Sequence, residues 1–164
     1  MHKLTDALTG LYNKETTEQL TDELLSEDEN KYHAFLILDV DCFKQINDIY
    51  GHAVGDIVLQ KFGKLLKGTF REGDILGRIG GDEFGVIMKN IQTKDIAMKK
   101  AEELLAKTQA YKIDELKGNN ISISIGISTA PQDGDCYMDL YKRADQALYQ
   151  AKRSGKARVC NYFS

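Results

Sequence analysis

The feature that most constrains the fold is a pair of short segments, rich in apolar residues, that are joined by an acidic glycine turn. Residues 75–79 (ILGRI) and 84–88 (FGVIM) are each long enough for one strand, and the four residues Gly80–Glu83 (GGDE) lie between them. A glycine-containing turn between two such segments is a strong local signal for an antiparallel hairpin. The sequence therefore predicts two adjacent strands with two carboxylates at their tip.

The remaining patterns extend this hairpin into a larger sheet. Residues 33–41 (HAFLILDVD) are typical of a strand buried on both faces, and residues 121–128 (ISISIGIS) alternate strictly, which predicts one buried face and one small, polar face. Residues 158–163 are compatible with a final edge strand. Helical spacing is found in four longer segments, residues 13–29, 51–70, 96–111 and 137–153. We expect an α+β fold in which helices cover a central, mainly antiparallel sheet.

The composition is that of one globular domain, which we expect to span residues 1–164. Apolar residues make up 42% of the chain and charged residues 29%, and 22 basic against 25 acidic side chains give a net charge of -3. This balance argues against a general nucleic-acid binder, which usually carries excess positive charge. The longest apolar run, Ala34–Leu38, is far shorter than the roughly 20 residues that span a bilayer. We expect no membrane contact from this segment.

The cysteines predict neither a disulfide framework nor a zinc site. Cys42, Cys136 and Cys160 are odd in number and form no C-x-x-C pair. We therefore expect reduced thiols and a cytoplasmic location.

Acidic residues fall where two predicted strands end. Asp39 closes the first strand and Asp82 lies at the hairpin tip, so their carboxylates are able to converge on a hard cation such as Mg²⁺. Gly80 and Gly81 would permit a positive φ and let a ligand approach the backbone. From spacing alone, a glycine hairpin with a solvated acidic tip explains the same residues equally well.

The wider sequence resembles the GGDEF family of diguanylate cyclases. Residues 78–88 (RIGGDEFGVIM) are similar to the central motif of the family, and residues 35–56 (FLILDVDCFKQINDIYGHAVGD) are similar to its metal- and substrate-binding stretch. The opening residues 6–13 and the closing segments 121–128 and 143–156 also match. The resemblance covers nearly the whole chain in the family's order.

The resemblance implies an enzyme that makes cyclic di-GMP from two GTP molecules, with a fold like class III nucleotide cyclases and polymerase palms. Two protomers would each bind one GTP and face each other, so a homodimer is implied at least during catalysis. Mg²⁺, or Mn²⁺ in its place, would be bound by Asp39, the carbonyl of Val40 and Asp82. Asp82 would also be the base for the 3′-hydroxyl, and Glu83 would support the metal site.

The resemblance also implies which residues contact GTP. Asn47 and Asp56 would read the guanine base, His52 belongs to the same substrate loop, and Lys44 and Lys152 would neutralise the triphosphate, with Lys44 also among the catalytic residues. As alternatives, Asn47 is typical of a turn and Asp56 of a helix's first turn. The remaining substrate-contact candidates are Phe43, which more often packs in a core, and the glycines Gly80 and Gly81.

Arg71 and Asp74 match the spacing of the inhibitory product site of the family, where cyclic di-GMP binds. An arginine can donate two hydrogen bonds to guanine O6 and N7, and an aspartate can accept from a guanine edge. A charged turn between a helix and a strand would look identical.

Three positions depart from the usual family pattern: Cys42, Lys14–Glu15 and Lys156–Ala157 replace His, Arg-Arg and Arg-Asn. None of them removes an implied metal ligand. The leading prediction is an active diguanylate cyclase domain taken from a larger bacterial signalling protein, which itself is either free in the cytoplasm or tethered to a membrane or sensor. The alternatives are a non-catalytic module that binds GTP or cyclic di-GMP and, more remotely, a cyclase acting on ATP.

Overall fold

The computed structural model describes residues 4–27 and 31–162 of the chain. Within these residues the chain forms five α-helices, one short 3-10 helix and five strands. In chain order they are α1 (Lys14–Glu27), β1 (Tyr32–Val40), α2 (Phe43–Tyr50), α3 (His52–Thr69), β2 (Ile75–Arg78), β3 (Glu83–Ile91), α4 (Lys94–Ala110), the 3-10 helix (Asp114–Leu116), β4 (Ile123–Ala130), α5 (Tyr137–Arg153) and β5 (Val159–Asn161).

The strands form one sheet in the order β2-β3-β1-β4-β5. Neighbouring strands are antiparallel except β4 and β5, which are parallel. Residues 33–40 of the central strand β1 are all buried, which confirms the prediction of a strand covered on both faces. The expected α+β fold is confirmed, and so is the edge strand at β5, although Phe163 of that prediction lies outside the described residues.

Helices cover both faces of the sheet because β1 places alternate side chains on opposite sides. Leu36 packs in one cluster with Phe62 of α3 and with residues of α4, whereas Phe35 packs in another with Tyr137 of α5 and with residues of α1. Burying an apolar side chain of this size contributes about 1.5–3 kcal/mol. These two clusters hold the sheet between two helical layers.

The prediction for β4 was wrong in one respect, because all eight of its residues are buried. The small residues of its second face are covered by α5 instead of facing water. A Cβ on Gly126 would lie 2.2 Å from the carbonyl oxygen of Ala144, and the Ser128 hydroxyl donates a hydrogen bond to the Leu140 carbonyl at 2.8 Å. The small face of β4 therefore permits the close approach of α5.

The four predicted long helices are present as α1, α3, α4 and α5. Residues 28 and 29 of the first predicted helix lie outside the described part of the chain. Helix α2 was not predicted, and Gly51, with a φ of 93°, separates it from α3. Within residues 4–27 and 31–162, no helix combines the length and the apolar composition that crossing a bilayer requires.

Candidate active site

Three acidic residues meet at the end of the sheet where β1 finishes. Asp39 in β1 and Glu83, the first residue of β3, are directly opposite each other in the antiparallel register. The backbone N–H of Val40 donates to the carbonyl of Asp82 at 3.3 Å, which joins the turn between β2 and β3 to the end of β1. The sheet therefore brings together carboxylates that are far apart in sequence.

Asp39 offers a carboxylate oxygen that no described residue of the chain pairs with. Only 9% of the Asp39 surface is exposed. One oxygen accepts a hydrogen bond from the Lys152 ammonium, whereas Oδ1 is buried with no hydrogen-bond partner among the described residues. Burial and the nearby carboxyl of Asp82 raise the pKa of Asp39 to about 7, although Lys152 opposes the shift. This set of oxygens suits a hard divalent cation, so the residues fit the metal that the resemblance implies.

Lys152, near the end of α5, supplies the positive charge of the site. Burial alone would lower the pKa of Lys152, but its hydrogen bond to Asp39 and the charges of Asp41 and Asp82 outweigh this effect and raise it. The implied phosphate-binding lysine is thus in direct contact with an implied metal ligand. The second such lysine, Lys44, is exposed in the first turn of α2.

Glu83 is held by a residue that the sequence did not single out. The hydroxyl of Tyr141, on α5, donates a hydrogen bond to Glu83 Oε1 at 2.8 Å. Burial raises the pKa of Glu83, and the charges of Asp145 and Asp82 add to the shift, while the Tyr141 hydrogen bond opposes it. In the sequence, Tyr141 is distinguished only as a large aromatic residue within a predicted helix.

The turn between β2 and β3 corrects one expectation and adds two residues. Neither Gly80 nor Gly81 has a positive φ; a Cβ on Gly80 would lie 3.1 Å from the Glu83 Cβ, whereas Gly81 faces open space. The turn is fixed instead by Arg78, whose guanidinium donates to the Gly81 carbonyl at 2.8 Å and to the carboxylate of Asp6 at 3.2 Å. Arg78 and Asp6 lay inside the matched motifs, which was the signal that could have identified them.

Asn47 lies on α2 with its side-chain oxygen in a buried position. Asn47 Oδ1 has no hydrogen-bond partner among the described residues. A Cβ on Gly55 would lie 1.9 Å from this oxygen and 3.2 Å from the ring of Phe43. Gly55, which we did not single out, therefore makes room for both side chains. Phe43 itself is half-buried and packs against the core, as its residue type favours.

His52 and Asp56 are exposed on α3, so they belong to a helix and not to a loop. Asp56 lies beyond the first turn of α3, which contains no acidic residue. The alternatives for Asn47 and Asp56, a turn residue and a first-turn charge, are both wrong.

Asp41 is committed to hydrogen bonds within the chain. Its carboxylate accepts from the hydroxyls of Ser122 and Ser124 at 2.6 and 2.7 Å and from the backbone N–H of Ala157 at 3.2 Å. The Lys156 ammonium donates to Cys42 Sγ at 3.3 Å. Two of the three departures from the family pattern thus lie together, beside the turn that follows Asp39.

Arg71 and Asp74 lie at the other end of β2, away from Asp82. The Asp74 carboxylate accepts from the Arg71 guanidinium and from the backbone N–H groups of Arg71 and Lys89, each at 3.1 Å. The Asp74 side chain is only 1% exposed, compared with 58% for Arg71. For Asp74 to accept from a guanine edge, its buried carboxylate must first become exposed.

The fold and the site define a class of protein: an α+β domain with the palm-like nucleotide cyclase fold and converging carboxylates at one end of its sheet. The chain belongs to the GGDEF family. The sequence model described as "Diguanylate cyclase, GGDEF domain" matches residues 3–158.

Individual proteins agree with this family assignment. Diguanylate cyclase A of Treponema denticola is 40% identical over 77% of this chain and 34% of its own length. The solved GGDEF domain of TpbB from Pseudomonas aeruginosa is 33% identical, with a TM-score of 0.91 over 97% of this chain and 94% of that one. The solved GGDEF domain of DgcB from Caulobacter crescentus, in complex with cyclic di-GMP, is 27% identical, with a TM-score of 0.89 over 98% of this chain and 96% of that one. The chain spans between 34% and 44% of the length of the first three curated relatives it matches.

Proposed function

We propose that this domain is a diguanylate cyclase that condenses two GTP molecules into cyclic di-GMP and releases two pyrophosphates. The proposal is carried by the buried Oδ1 of Asp39, which has no hydrogen-bond partner among the described residues and lies beside the carboxyl of Asp82 and the ammonium of Lys152. The intact GGDEF motif supports catalysis over the alternative of a binding-only module.

Asp39, the carbonyl of Val40 and Asp82 would hold Mg²⁺, with Mn²⁺ as a substitute. The bound metal would neutralise charge on the triphosphate and make the α-phosphorus more electrophilic. Lys152 would balance further negative charge on the phosphates, and it already lies against Asp39.

Asp82 would accept the proton of the 3′-hydroxyl as that oxygen attacks the α-phosphorus of the second GTP. In each of the two transfers one P–O bond forms and the bond between the α-phosphorus and pyrophosphate breaks, and each protomer contributes one nucleotide. A single protomer supplies half of the reacting groups, so catalysis requires two copies, at least transiently.

Guanine would be read by Asn47 and Asp56. Guanine presents N1–H and N2–H₂ as donors, and the buried Oδ1 of Asn47 is an acceptor with no partner within the described chain. A site that depends on such hydrogen bonds rejects adenine because its own acceptors would remain unpaired. His52, Phe43, Gly80 and Gly81 would line the same nucleotide.

We also propose feedback by cyclic di-GMP at the Arg71–Asp74 turn. Arg71 is the exposed member of the pair and would donate to a guanine Hoogsteen edge. Asp74 supports Arg71 through their ion pair. Product held there would keep two domains from facing each other.

The deciding experiment is incubation of the domain with GTP and Mg²⁺, followed by chromatographic identification of nucleotide products. We expect cyclic di-GMP and pyrophosphate in a ratio of one to two, none with a chelator, and a rate that rises more than linearly with protein concentration. Binding of GTP without any product at high protein concentration would instead identify a binding-only module.

A further inference from the structure

Helix α5 contacts two of the converging carboxylates through two different residues. Lys152 contacts Asp39, and Tyr141, three turns earlier on the same helix, donates to Glu83. Asp39 and Glu83 face each other across β1 and β3. One helix therefore pairs each carboxylate with a different donor: a cation for Asp39 and a neutral hydroxyl for Glu83.

The separate pairing matters because Glu83 lies directly opposite Asp39 in the strand register, and the positive charge of Lys152 acts on both carboxylates. A single ammonium group between two acidic side chains can move toward either of them. A hydroxyl fixed on Glu83 occupies one of its oxygens and restrains the rotation of its side chain. Lys152 then remains beside Asp39.

We propose that Tyr141 is a positioning residue, which holds Glu83 apart from Lys152 and so keeps Lys152 and Asp39 arranged for the metal and the triphosphate. The inference rests on the proposed cyclase function, which it deepens. Tyr141 does not need to touch the nucleotide, because it acts through Glu83.

The hydroxyl is separable from the packing role of the ring. The Tyr141 ring lies 6.5 Å from the Phe35 ring and 5.9 Å from the Tyr137 ring, between centroids. A phenylalanine at position 141 would retain both contacts and lose only the hydrogen bond to Glu83. Tyr141→Phe therefore tests the hydroxyl alone.

Tyr137 provides a matched control one turn earlier on α5. Its ring packs edge-on against Phe35 at 5.4 Å, and its buried hydroxyl has no hydrogen-bond partner among the described residues. Tyr137→Phe removes a hydroxyl from the same helix and the same cluster without removing a hydrogen bond to a carboxylate.

The test uses 3′-deoxy-GTP, which lacks the attacking hydroxyl, so that binding is measured without turnover. Calorimetric titration gives the Mg²⁺ concentration needed for half-maximal nucleotide binding. We expect Tyr141→Phe to raise this concentration about tenfold, as for loss of a hydrogen bond to a charged group, and to lower kcat for GTP. Tyr137→Phe should change neither, and the thermal midpoints of both variants should stay close to that of the wild type.

A second arm asks whether Tyr141 acts through Glu83. In a Glu83→Ala background the acceptor is absent, so adding Tyr141→Phe should cause no further change in Mg²⁺ requirement. The inference would be overturned if Tyr141→Phe and Tyr137→Phe required the same Mg²⁺ concentration for half-maximal nucleotide binding. It would also be overturned if Tyr141→Phe raised this concentration further in the Glu83→Ala background. Absence of cyclic di-GMP from the wild type would overturn the proposed function instead, since the binding measurement does not depend on turnover.

Discussion

The proposed recognition of guanine by Asn47 requires space beside Gly55, where a side chain would collide with the Asn47 amide. A Cβ at position 55 would overlap Asn47 Oδ1, the far end of a side chain that is able to rotate away. Gly55→Ala should therefore displace the amide while changing the free energy of unfolding little. We expect the wild type to prefer GTP over ATP by at least tenfold. Gly55→Ala and Asn47→Ala should each reduce this preference by about tenfold, because an unpaired buried hydrogen-bonding group costs about 1–3 kcal/mol.

The measurement is kcat/KM for each nucleotide in the wild type and both variants. Gly68→Ala is the matched control, since Gly68 is an exposed residue of α3 and no atom of the described chain lies within 4 Å of an added Cβ. Equal losses toward GTP and ATP would mean that Asn47 positions its helix and does not read the base.

Some residues of the candidate site were predictable from the sequence and others were not. Asp39, Asp82 and Asn47 were predicted through motifs that are contiguous in sequence. The role of Gly55 requires knowing that α3 passes beside Asn47 of α2, and the Tyr141–Glu83 hydrogen bond joins residues 58 positions apart. Such contacts follow from helix packing, which local spacing does not encode.

The approach of α5 to β4 should be the least tolerant packing in the fold. A Cβ on Gly126 would meet backbone atoms of α5, at 2.2 Å from Ala144 O and 2.4 Å from Leu148 N, which no side-chain rotation relieves. We expect Gly126→Ala to reduce the free energy of unfolding by about 1–3 kcal/mol. Because α5 carries Tyr141 and Lys152, the rate of synthesis should fall as well.

Urea unfolding of Gly126→Ala beside Gly68→Ala measures this effect. The control replaces a helical glycine in open space and should gain up to about 1 kcal/mol from helix propensity. Similar stabilities of the two variants would show that α5 can move away from the sheet at little cost.

Two elements, β4 and α2, differ from what the sequence predicted. The alternation in β4 was recognised, but serine and glycine on its second face are typical both of a solvated face and of a close helix contact. Helix α2 has no fully buried residue. Its apolar residues Phe43, Ile46 and Tyr50 are half-buried against the core. They have helical spacing, but the segment is too short for this spacing to predict a helix.

Across the whole domain, the proposed active site and the Arg71–Asp74 turn lie at opposite ends of β2. If cyclic di-GMP acts at this turn, inhibition should be non-competitive with GTP. Arg71→Ala should weaken inhibition about tenfold, as expected for loss of a bidentate contact to guanine. The measurement is the rate of synthesis by the wild type and by Arg71→Ala at increasing cyclic di-GMP concentration. The initial rate, before product accumulates, is the reference for each protein. Superimposable inhibition curves would leave Arg71 as part of a charged turn.

The carboxylates at the end of β1 and before β3 are proposed to carry out the chemistry. The most direct measurement compares the rate of cyclic di-GMP formation by the wild type, Asp82→Ala and Asp135→Asn at saturating GTP and Mg²⁺. Asp135 is an exposed carboxylate that lines a surface cavity together with His33. His33 lies roughly 20 Å from Asp39 along β1, at ~3.3 Å per residue. We expect Asp82→Ala to remain folded and lose all detectable synthesis, while Asp135→Asn keeps the wild-type rate. Near-wild-type turnover by Asp82→Ala would contradict the assignment of Asp82 as metal ligand and base.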